Sequence, residues 1–73
     1  MILGIYAMRD NLQGFLAPTV QLNDAVALRE YKLNMDRKDT VFNFEPQDFS
    51  LYKLGEFDTD SGKITVIPLE VIA

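Results

Sequence analysis

The chain has 73 residues, 48% hydrophobic and 25% charged, with seven Lys/Arg against eleven Asp/Glu and neither cysteine nor histidine. That is the composition of a single small globular domain, residues 1–73, and not of a disordered tail. It excludes disulfides, zinc-finger and haem ligand sets, thiol nucleophiles and imidazole bases.

Carboxylate or lysine catalysis stays formally open, but so short a chain has little interior in which to form a dry pocket. No enzyme, cofactor or metal is therefore expected. A domain near 60 residues buries only about 60% of the surface its unfolded chain exposes. A homodimer is expected on that ground, because a second copy supplies the burial that one chain lacks. No apolar run reaches the roughly 18–20 residues of a membrane span, and the first residues lack the basic-then-apolar order of a signal peptide. The expected compartment is the cytoplasm, with no membrane partner.

The net charge of −4 argues against a sequence-independent nucleic-acid coat. Its distribution is uneven. Residues 1–38 carry five basic and four acidic side chains, whereas residues 39–73 carry two basic and seven acidic ones. Any anion-binding surface must be local.

Met1 to Met8 is apolar on both faces and is bounded by Arg9-Asp10-Asn11, which predicts a strand covered on both sides and central in its sheet. Gly4 within it marks a close backbone approach or a twist. Asn11 and Gly14 supply turn chemistry, and a returning strand begins at Phe15-Leu16-Ala17. Pro18 removes a ladder donor, so that strand lies at an edge or stops early.

Asn23 or Asp24 caps a helix running to Met35, a stretch without Gly or Pro. At 100° per residue, Ala25, Leu28, Tyr31 and Met35 share the face expected on the sheet. Val26 and Leu33 fall on another side, covered by a loop or forming the seam of a dimer. Arg29, Lys32, Arg37 and Lys38 gather towards the helix end. Two readings compete for them: pairing with the negative end of the helix dipole, and contact with phosphates. Glu30 and Asp36 dilute any positive field there.

Phe42 and Phe44 alternate with Val41 and Asn43, which allows a short extended piece. Glu45 to Phe49 reads as one helical turn with Pro46 at its first position and Phe49 plugging the core. Ser50–Phe57 and Lys63–Ile67 read as strands of a hairpin closed by Asp58 and Gly62. Pro68 then makes Leu69–Ile72 either a bulged continuation or a segment that leaves the sheet.

Asp58-Thr59-Asp60-Ser61-Gly62 approaches the start of a calcium loop, but the glycine comes one residue early and Leu69 stands where a bidentate glutamate is needed. A hairpin turn explains the same residues. Tyr6, Phe15, Tyr52 and Phe57 lie on expected strands, where aromatic rings either fill the core or stack on single-stranded bases. Tyr6 and Tyr52 are the better stacking candidates, since tyrosine keeps a polar tip at a wet surface. By alternation, Tyr52 faces away from Leu51 and Phe57.

The hairpin Leu51-Tyr52-Lys53-Leu54-Gly55-Glu56-Phe57-Asp58-Thr59-Asp60-Ser61-Gly62-Lys63-Ile64 resembles L-Y-x-[LV]-G-E-[FY]-D-x-x-[TS]-G-x-[IL]. That pattern belongs to the small non-structural protein of gokushovirus-type microviruses, phages with single-stranded DNA genomes. Asn23-Asp24-Ala25-Val26-Ala27-Leu28-Arg29, with Tyr31 after it, is similar to a second stretch of the same family. The resemblance covers nearly the whole chain, apart from Asp39–Phe44 and the residues after Pro68. It implies a non-capsid protein made during infection, binding DNA or acting in the switch to single-strand synthesis and packaging. The matched residues read as fold-makers and do not define a binding site.

The expected fold is α+β: a small antiparallel sheet with one helix on a face, in the order strand-strand-helix-strand-strand. The expected function is single-stranded-DNA binding in phage genome replication. Arg29, Lys32, Arg37 and Lys38 would hold phosphates, and Tyr31 or Tyr52 would stack on bases. The alternative is a module that binds a phage or host replication protein through the acidic C-terminal half.

Overall fold

The computed structural model describes residues 1–73. Strand β1 (Ile2–Asp10) runs down the middle of an antiparallel sheet. On one side it pairs with two short strands, β2 (Gly14–Phe15) and β3 (Thr19–Gln21), and on the other with β4 (Phe49–Asp58), which in turn pairs with β5 (Ile64–Val71). Helix α1 (Asp24–Met35) crosses one face, and a short helix α2 (Val41–Phe44) and a 3-10 turn (Pro46–Asp48) lead into β4. This is the α+β order read from the sequence.

Local chemistry explains most of these elements. Pro18 splits the returning edge into β2 and β3, as a residue without an N–H must. The Asn23 side chain accepts from the backbone N–H of Val26 at 2.9 Å, capping α1. Pro46 opens its turn at the first position, and Phe49, 7% exposed, plugs the core edge-on to Phe42 with ring centroids 4.8 Å apart. In the last hairpin Asp58 accepts from the backbone N–H of Asp60 at 2.9 Å, and Gly62 takes a φ of +74°.

The segment after Pro68 is a bulged continuation. Between Lys53–Glu70 and Gly55–Val66 the ladder skips Leu54 on β4 and three residues on β5, and Tyr52–Val71 pairing resumes beyond. Gly55 belongs to that irregularity, because a Cβ there would collide with the Thr65 carbonyl oxygen.

Three expectations are corrected. Val41–Phe44 forms a helical turn, not an extended piece, since the Thr40 carbonyl accepts from the backbone N–H groups of Asn43 and Phe44. Ala27, not Ala25, meets the sheet, in a buried cluster with Tyr6 and Leu51 flanked by Met8, Tyr31 and Ile72. At about 100° per residue Ala27 lies only about 40° from Tyr31, whereas Ala25 lies about 200° from Ala27, so Tyr31 keeps the buried side and Ala25 leaves it. Tyr6 is buried rather than offered for stacking, at 1% exposure.

Candidate functional site

The sheet has two unlike faces, and register decides which residue belongs to which. Cross-strand partners share a face, and alternate residues on a strand point oppositely. Tyr6, Met8, Phe49, Leu51 and Lys53 lie on the α1 face. There the Tyr6 hydroxyl donates to the Asp24 carboxylate, which sits 3.7 Å from Lys53 Nζ. Burial, together with the Asp24 carboxylate, pushes the Tyr6 phenol well above its ordinary value. Glu56, Thr65 and Glu70 lie on this same face by their pairing with Gly4, with Glu56 and with Lys53.

The opposite face has no helix. It carries Leu3, Ile5, Ala7 and Arg9 from β1, Phe15 and Val20 from the split edge, Tyr52 and Phe57 from β4, and Ile64, Val66 and Val71 from β5. Phe57 joins Tyr52 here, against strict alternation, because the bulge at Leu54 inserts one residue and inverts the parity of the strand beyond it. Arg9 is the one charged group among these paired positions. Its guanidinium stands 5.1 Å from the centre of the Phe15 ring, which packs edge-on to Tyr52 with centroids 5.4 Å apart.

The six residues singled out by sequence do not converge on one site. Arg29, Lys32, Arg37 and Lys38 are exposed on the outer side of α1 and the turn after it. None of them pairs with a carboxylate; the ion pairs of the molecule use Lys53 and the terminal amine of Met1. Glu30, the acid expected to dilute them, accepts instead from Gln21 Nε2 at 2.7 Å. Leu33, 66% exposed, lies among these cations, and with Arg29 it borders two shallow clefts reaching Lys32 and Arg37.

Tyr31 is on the inner side of α1. Its hydroxyl donates to the Phe49 carbonyl at 3.2 Å, burial raises its phenol, and its ring lines a groove of about 260 Å³ between α1 and the β3 edge. Tyr52 is on the helix-free face, with the sheet between it and the cations. Sequence reasoning missed Arg9, whose partnership with Phe15 and Tyr52 requires the β1–β2 register. The signal was present in the alternation of Leu3, Ile5, Ala7 and Arg9.

Two surfaces are thus available to a partner: an outer flank of α1 whose cations form no ion pair, although Glu30 and Asp36 line the same clefts, and a broad apolar sheet face. The first can hold phosphates as point contacts. The second can exclude water from a large flat area. No helix is long and apolar enough to cross a membrane.

No curated protein and no solved structure matches the chain. The family model described as Phage ORF5 protein matches residues 3–73, which take in both surfaces and nearly all of every element of the fold. The chain belongs to the Phage ORF5 protein family and is a bacteriophage protein.

Proposed function

We propose that this phage protein binds single-stranded DNA along the outer flank of α1, in genome replication or in the switch to single-strand synthesis and packaging, within the host bacterial cytoplasm. One observation carries the reading. In a chain of net charge −4, Arg29, Lys32, Arg37 and Lys38 are all exposed and none is ion-paired, although Glu30 and Asp36 line the clefts beside the first three. Helix-dipole pairing explains a cation in the last turn, such as Lys32, but not Arg29 two turns before the helix end or Lys38 beyond it.

Membership of a phage family and the resemblance to the gokushovirus-type protein supply the biological setting. Phosphate contact is the working interaction. Stacking by Tyr31 or Tyr52 is no part of it, because the first is packed inward and the second lies across the sheet from the cations.

The test is a gel shift at roughly 50 mM salt, where electrostatic binding is strong. A single-stranded oligonucleotide should shift with the wild-type protein and not with an Arg29→Gln/Lys32→Gln double variant. Duplex of equal length serves as competitor. If nothing shifts at low salt, direct DNA contact is wrong. The acidic-half interaction module then becomes the better reading, checked by pull-down from infected cells after nuclease treatment.

A further inference from the structure

We infer that the helix-free face of the sheet is a self-association surface. Two copies meet face to face, giving a four-layer helix-sheet-sheet-helix dimer with both α1 flanks outward.

The monomer is half of such an assembly. It measures 40 × 21 × 16 Å, and its one long helix packs on the Tyr6 face of the sheet only. Only seven of 73 residues are buried, five of them hydrophobic. Meanwhile Ile64, Val66 and Val71 on β5 are 65%, 85% and 64% exposed, and Val20 and Phe15 on the other edge are 48% and 40% exposed. These five side chains share the face with half-buried Leu3, Ile5, Tyr52 and Phe57. Singly exposed apolar residues are ordinary, but a contiguous apolar sheet face is a partner site.

Charge and area select the occupant. A polyanion needs several cations, and a charged protein partner needs complementary charge; this face offers Arg9 alone. Arg9 sits at one end of the strand, engaged with Phe15, where it forms a polar rim to an apolar centre of Leu3, Ile5, Val20, Phe57, Ile64 and Val66. An uncharged, flat, apolar surface is best matched by itself across a two-fold axis. A sheet four strands wide at about 4.8 Å per strand, and up to ten residues long at about 3.3 Å per residue, offers a flat area of several hundred Å². Its protruding apolar side chains carry the accessible surface towards the roughly 800 Å² per partner of a standard stable interface. Sheets packed this way lie about 10 Å apart with their inner side chains interdigitated.

The arrangement does not depend on DNA binding, and mass measured without DNA tests it separately. Light scattering of the wild-type chain should give the mass of two copies at micromolar concentration. Val66→Lys and, independently, Val71→Lys place a charge on the β5 side of the apolar face, beside Gly55 and Tyr52 respectively, and each should weaken the dimer at least about tenfold. Thr65→Lys is on the same strand but on the other face and should leave the dimer intact. Circular dichroism confirms that each variant is folded. A wild-type monomer at about 100 μM overturns the proposal, since that concentration populates even a weak dimer. So does equal dissociation by Thr65→Lys, which would assign the contact to the β5 edge instead. Val66→Lys that keeps the dimer mass but binds oligonucleotide more tightly would assign the face to DNA.

Discussion

The ring of Tyr6 lies across the backbone of Gly4, two residues earlier on the same strand, in the space a side chain at position 4 would occupy. That contact lets the central strand carry a large aromatic beneath α1 without displacing the helix. Gly4→Ala drives a Cβ into the ring. Since Tyr6 also packs in the cluster with Ala27 and Leu51, the ring gives up contacts there to make room. We expect a loss of about 1–3 kcal/mol in urea unfolding, the usual range for overpacking a tight core. An unchanged midpoint would show that the ring moves freely.

Tyr6→Phe keeps the packing and removes the hydrogen bond to Asp24. Asp24 retains Lys53 at 3.7 Å, on the partly exposed edge of the helix, so the carboxylate is not stranded. The expected cost is about 1.5 kcal/mol, typical of a hydrogen bond to a charged group. A matched Tyr52→Phe variant reports on the other sheet face, where the hydroxyl has no protein partner, and should cost less.

Alkaline titration reports on the two inward-packed tyrosines. Tyr6 and Tyr31 are both raised above the ordinary phenol value of 10.0, each chiefly by burial and Tyr6 also by Asp24. Below that pH, folded and unfolded chains both hold these protons, and the stability is fully present. As pH climbs past it, the unfolded chain ionises first and stability falls. Tyrosinate absorbance from Tyr6 and Tyr31 should therefore appear late, together with a declining urea midpoint. At the acid end Asp58 is lowered, first by the backbone N–H of Asp60, so its contribution is present above its usual value of 3.8 and is lost as pH drops through that range.

Much of this architecture is legible in the sequence because short-range chemistry dictates it. Pro18 breaks an edge, Asn23 or Asp24 caps a helix, and Asp58 with Gly62 favours a turn. What escapes is set by contacts distant in sequence. Ala25 and Ala27 are the same residue type, and Tyr6 beneath the helix decides which of them is buried. Simple alternation sends Phe57 away from Tyr52, whereas the bulge at Leu54 inverts the strand's parity, and no residue there announces it except Gly55. The four cations of α1 and the turn after it are near neighbours in the chain and need no tertiary contact to group them. Only nearness or residue type joins Tyr31 and Tyr52 to them, and the sheet sends these two rings to different sides.

Free cations meeting phosphates are the central claim, and the salt dependence of oligonucleotide affinity tests it most directly. Each single-strand phosphate neutralised contributes about −0.7 to the slope of log affinity against log salt, so four contacts per copy predict roughly −3. Replacing Arg29, Lys32, Arg37 and Lys38 together with glutamine should abolish that slope along with the binding. Affinity that is flat in salt, or a steep slope that survives the fourfold replacement, would contradict the assignment of this flank.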